Sequence, residues 1–175
     1  GELEWADRKE VVGKIVRWIR KIHPDVLMAF DPGWGYVRWH KSDHRTASYL
    51  AADASRAAEW RLIFPGQIIH EGLKEWRVPE YLFYSPLEKD ANVIVNVTKY
   101  NDQRVDAKSK HLSQFSGMWN DYRGNDPKLL TKTERKEFND RISRMKKVDG
   151  KIVEHFRYYT GYPDGIGSGR GSYPK

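Results

Sequence analysis

Val12, Ile15, Val16 and Ile19 recur at i, i+3, i+4 and i+7, which predicts a helix with one apolar face. Asp7 and Glu10 have the spacing of a capping box at its start, and Pro24 ends it. Lys9, Lys14, Arg17, Arg20 and Lys21 are expected on its solvated side. The run Val26 to Phe30 is short and wholly apolar, as expected of a strand buried on both faces of a parallel sheet. A loop rich in Gly and Pro follows, Asp31 to Arg45. Ala47, Leu50, Ala51, Ala54 and Ala58 then predict a second helix, with Ser42 or Asp43 as its cap. Its small residues allow close packing against a sheet. Arg61 to Pro79 is broken by Pro65, Gly66 and Gly72 and reads as loop with short turns.

Further on, Tyr81 to Tyr84 predicts a strand. Asn92 to Thr98 predicts another, with Val93, Val95 and Val97 alternating. A helix is expected from Asn101 or Asp102 to about Phe115, with Val105, Leu112 and Phe115 inward. Ser116 to Leu130 reads as loop. Thr131 and Glu134 form a second capping box, ahead of a helix that buries Phe138, Ile142 and Met145 and ends near Gly150. Ile152 to Tyr158 alternates as a last strand. The order of helices and strands predicts an α/β domain over residues 1–159. Residues 160–175 are rich in Gly and Pro and are expected to be a flexible tail. There is no internal repeat.

With 175 residues, 39% hydrophobic and 31% charged, the chain suffices for one domain with a real core. No apolar stretch reaches the length of a membrane span, and no signal peptide opens the chain. The absence of Cys excludes disulfides and thiolate metal sites and fits a reducing, cytoplasmic location. The net charge of +7 raises nucleic acid as a partner. No run of five or six like charges marks a binding tail, so the excess reads as charge spread along helix faces. Seven Trp and ten Tyr serve packing for the most part, and a few could stack on sugar rings or bases.

The chemistry concentrates in Asp31–Arg45, which holds His40 and His44 with Asp31 and Asp43. Such loops sit at the carboxyl ends of strands, where ligands bind in open α/β sheets. A four-residue spacing of His on a helix suits a metal ion, but here it straddles a loop-to-helix boundary. Asp43 beside an imidazole can fix its tautomer and raise its basicity. A three-ligand zinc site needs one donor more, and no second tight cluster supplies it. The loop therefore reads as half of an active site. His23-Pro24-Asp25 looks like a metal motif but reads as a helix stop.

The Pro-Asp-Val strand entry, Phe30-Asp31-Pro32-Gly33 and Ser42-Asp43-His44-Arg45-Thr46-Ala47 resemble the later part of the LmbE-like (PIG-L) N-deacetylases. Further matches follow in order: Phe64-Pro65, Glu71-Gly72-Leu73, Val95-Asn96-Val97-Thr98, Lys108, His111, Ser113-Gln114-Phe115 and Glu154-His155-Phe156. The resemblance spans roughly Leu3 to Tyr158. It implies a Rossmann-like parallel sheet with flanking helices and zinc-dependent hydrolysis of N-acetylglucosaminyl-type conjugates, small glycoconjugates among them. By the same resemblance His44 is the zinc ligand, Asp43 orients the catalytic imidazole, and Arg45 and His111 bind substrate. The family motif has His where this chain has Lys41, so the acid is His40, one residue early, or Lys41 acts as a fixed cation. The family's first motif, His-Pro-Asp-Asp-Glu, is absent. The chain thus looks like a C-terminal part that lacks the N-terminal strands. The missing part or another chain would cover the sheet edge, and an oligomer is expected.

Two function classes follow. One is a zinc-dependent N-deacetylase, incomplete as this chain. The other is a catalytically inactive protein of the same fold that binds a glycan or nucleic acid through a basic, aromatic surface.

Overall fold

The computed structural model describes residues 2–33, 41–109, 111, 132–133, 136, 140 and 147–161. The chain divides into two compact units, Gly1–Val93 with His155–Lys175, and Ile94–Glu154. In the first unit, helix α1 spans Arg8–Ile22, with Asp7 accepting from the Glu10 amide at its start. Only half of the capping box forms, because Glu10 takes the Lys14 ammonium instead. The helix stops at His23, whose φ of 48° is left-handed. That ring stacks on Trp76 at 4.4 Å, and the Trp76 indole donates to the Pro24 carbonyl. His23 is thereby a helix stop, as its sequence context predicts.

Strand β1, Val26–Phe30, passes to helix α2, Ser42–Ala58. A short helix α3, Pro65–Ile69, lies inside the stretch expected to be loop, with Pro65 at its first position where a missing N–H costs nothing. Strand β2, Glu80–Tyr84, runs parallel to β1, so β1, α2 and β2 form a βαβ unit. Strand β5, Lys151–Thr160, runs antiparallel to β2, so the expected all-parallel sheet is a mixed one.

The register explains the core. Leu27 faces Tyr81, Ala29 faces Phe83, and these two face Tyr159 and Arg157 across β2 and β5. This odd-numbered face joins Val12, Val16 and Ile19 of α1 and Leu50, Ala54, Ala57 and Ala58 of α2 in one core. A side chain such as Val16, fully buried, stabilises by about 1.5–3 kcal/mol. Alanines on α2 let the helix sit close to the strands, as the sequence implies. The opposite face of β1 is open: Val26 is 41% and Met28 58% exposed. Burial of β1 on both faces, expected from its composition, does not hold among the described residues. An apolar run gives strand propensity, but what covers a strand depends on its neighbours. On one edge β1 pairs with β2, and among the described residues no strand pairs with the other.

Arg20 does not lie on the solvated side of α1. It is 1% exposed and sits under the chain that links α2 to α3. Its guanidinium donates to the carbonyls of Ala58 (3.1 Å), Trp60 (2.9 Å), Ile63 (2.9 Å) and Phe64 (3.2 Å), and to Gln67 Oε1 at 3.2 Å. The Ala58 carbonyl closes α2 and the others belong to the chain after it, and carbonyls buried in this way need donors. Burial lowers the Arg20 pKa, and Glu75 opposes the shift. Arg17, also of α1, does reach the surface, where it forks onto Glu71 at 2.8 and 3.1 Å and holds that carboxyl below its usual range.

In the second unit, strand β3 is Val93–Asn96 and helix α4 Asn101–Ser109. Residues 112–115, the expected end of that helix, lie outside the described residues. Strand β4, Lys147–Val148, turns into β5 through Asp149 and Gly150, both at positive φ (50° and 73°). That Asp-Gly pair is the two-residue hairpin turn whose twist suits antiparallel strands. The helix expected after Thr131 and the tail after residue 161 fall largely outside the described residues.

Candidate active site

The loop that holds the candidate chemistry begins where β1 ends. The period of two that puts Leu27 and Ala29 on the core face also puts Asp31 there, and it is 0% exposed. Its carboxylate pairs with the guanidinium of Arg157, itself 3% exposed. Asp31 Oδ1 also accepts from the Gly33 amide at 3.0 Å, and the Asp31 amide donates to the Tyr84 carbonyl at 2.9 Å. The Arg157 guanidinium lies 5.9 Å from the Phe83 ring and 5.4 Å from the Tyr159 ring. Arg157 is the residue that sequence reasoning missed. One basic residue in an alternating strand reads as solvent-facing, but its register opposite Phe83 puts it in the core.

Helix α2 carries the other half of the loop's chemistry. Lys41 is its N-cap, exposed and without a side-chain cap bond, so neither Ser42 nor Asp43 caps it. Both stand in the first turn, where the carboxylate of Asp43 complements the helix dipole. His44 follows and packs edge-on against Phe30, with ring centroids 4.4 Å apart at 72°. Its Nδ1 is buried and has no hydrogen-bond partner among the described residues. Arg45 reaches back to Glu4 at 3.3 Å. One helix turn thus brings Lys41, Asp43, His44 and Arg45 together. His40 lies outside the described residues. His111 is exposed in the second unit, where its amide donates to the Lys108 carbonyl at 3.0 Å. In the same unit Arg104 of α4 pairs with Glu154 at 2.8 Å.

A buried imidazole nitrogen without a partner is costly and is the kind of atom a metal or proton donor satisfies. His44 therefore fits one position of a zinc site. Among the described residues no three His, Cys, Asp or Glu gather to complete one. Among the same residues no helix is long and apolar enough to cross a membrane.

No protein-family model matches the chain. Over 58 residues it is 36% identical to the 1D-myo-inositol 2-acetamido-2-deoxy-alpha-D-glucopyranoside deacetylase of Kineococcus radiotolerans, a stretch covering 30% of this chain and 16% of that protein. The structure of N,N'-diacetylchitobiose deacetylase from Pyrococcus horikoshii matches 86% of the chain with a TM-score of 0.60 at 23% identity. The chain spans about half of that protein, 51%. The 4-carboxy-2-hydroxymuconate hydratase of Pseudomonas putida matches 97% of the chain and 62% of its own length, with a TM-score of 0.52 at 13% identity. A hydratase and a deacetylase on one fold show that the fold does not set the reaction. The chain is an α/β protein distantly similar, over part of their length, to the LmbE-like deacetylases of N-acetylglucosamine conjugates.

Proposed function

We propose that this chain carries part of the active site of a zinc-dependent N-deacetylase acting on an N-acetylglucosaminyl-type conjugate. The observation that carries this reading is His44: a buried Nδ1 with no partner among the described residues, in the first turn of α2 beside the end of β1. The two deacetylases to which the chain is similar support it. In this reading His44 is one donor to zinc, and the other donors and the general base come from polypeptide beyond the described residues. Zinc, when bound, polarises the amide carbonyl and acidifies a water. The part played by this chain's own groups is positional. Phe30 holds the His44 ring at a fixed tilt and shields one side of it from water. By the family resemblance Asp43 has the role of orienting the catalytic imidazole, and His40 is the proposed acid for the leaving amine. Lys41 stands exposed at the helix start as a fixed cation, and Arg45, tethered to Glu4, meets the substrate.

Two outcomes follow for the chain by itself. Calorimetric titration with zinc is expected to show no tight one-to-one site, because one His does not close a coordination sphere. Tight stoichiometric binding would contradict the reading. The edge of β1 that pairs with no strand among the described residues, with Val26 and Met28 exposed beside it, is proposed to receive a further strand. Without one it recruits another chain. Sedimentation at high concentration is expected to report a dimer or larger species, and a clean monomer would count against an incomplete sheet.

A further inference from the structure

We propose that the buried Asp31–Arg157 pair is a positioning device for the His44 imidazole rather than a requirement of the sheet. The proposal rests on reading His44 as a metal donor. Both partners are withdrawn from water, at 0% and 3% exposure, in a face otherwise built from Ala29, Tyr81, Phe83 and Tyr159. Taking two charges out of water costs so much that apolar replacements of equal size are often neutral or stabilising. The core at this point would be served as well by two aliphatic side chains. What an ion pair adds is direction.

The direction is needed where the chain leaves β1. There Asp31 is held three ways: by Arg157 from β5, by the Gly33 amide, and through its own amide by Tyr84 of β2. Gly33 takes a φ of 76°, so the backbone turns sharply two residues after the strand. Phe30, bonded directly to Asp31, is fixed in turn. Its carbonyl accepts from Ser48 Oγ at 2.9 Å, and its ring lies 4.6 Å from Tyr84 and 4.4 Å from His44. A shift at Asp31 therefore passes to Phe30 and on to the imidazole. In this arrangement Asp31 and Arg157 act through Phe30 and set the tilt of the His44 ring.

The test combines Asp31→Asn with Arg157→Met, which removes both charges and keeps an acceptor for the Gly33 amide. Two quantities are read by nuclear magnetic resonance and thermal melting: the cross-relaxation between Phe30 and His44 ring protons, and the unfolding midpoint. His44→Gln assigns the His44 signals. The expected result is a folded double variant with a midpoint near that of the parent, a Phe30–His44 cross-peak weakened severalfold, and shifted His44 ring signals. Arg157→Lys keeps the charge but loses the fork, and should restore part of the cross-peak. An unchanged cross-peak and unchanged His44 signals in the double variant and in Arg157→Lys would overturn the proposal. So would a double variant that does not fold, because the pair would then be a structural requirement. Neither readout depends on catalysis. Altered ring signals in a protein with no deacetylase activity would leave the positioning role standing and remove the deacetylase reading alone.

Discussion

Arg20→Met is expected to destabilise the chain by about 2–5 kcal/mol, at about 1–3 kcal/mol for each buried acceptor left without a donor. The side chain volume is nearly kept, so the loss is not a cavity effect. It comes mainly from the Ile63 carbonyl and Gln67 Oε1, which lose their donor beneath the surface, while the carbonyls of Ala58, Trp60 and Phe64 keep one backbone amide each, from Trp76, Ile63 and Gln67. At roughly 2–4 °C per kcal/mol for a chain of this size, the melting point should fall by about 5 °C or more. Arg20→Lys should recover little, because an ammonium cannot bridge acceptors spread around a planar fork. Melting curves of the two variants check this. A fall of only a degree or two in Arg20→Met would mean that water replaces the guanidinium at little cost.

The second large effect concerns His40 and Lys41. In the protein that carries the complete site, His40→Ala is expected to lower turnover on the order of a hundredfold or more, a typical general-acid contribution. Lys41→Ala should cost far less. Lys41 is the exposed N-cap of α2 with no cap bond from its side chain, so its removal disturbs nothing that holds His44. An imidazole is in general better suited than an ammonium to donate a proton near neutral pH. Steady-state kinetics of the two variants decide between them. If Lys41→Ala is crippling and His40→Ala is near neutral, the acid's work is done by a fixed cation.

How much of this was legible follows from the kind of signal each residue gives. The bounds of β1 match the apolar run Val26–Phe30, because Pro24 ends the helix before it and the polar loop ends the strand after it. The α2 helix and its alanine-lined packing face were also readable from spacing. The charge of Arg20 points to the solvated side, but its position does not. It stands four residues after the fully buried Val16, and that spacing puts it on the apolar face. Asp31 was read as a loop group, although it stands two residues past Ala29 and continues the core face. Arg157 was harder, because its burial comes from pairing with β2, and antiparallel register is not written in local sequence. The same holds for the mixed sheet: strand direction depends on contacts far apart in the chain. At the site, the clustering of Lys41, Asp43, His44 and Arg45 on one turn was readable. The missing partner of His44 Nδ1 was not, since it depends on the packing of Phe30.

The most direct measurement of the central claim is acetate release from an N-acetylglucosaminyl conjugate by the protein as the cell makes it, with and without zinc, before and after His44→Ala. Zinc-dependent release that His44→Ala reduces to background is the expected result. No release with zinc present, or release that survives His44→Ala unchanged, would contradict it.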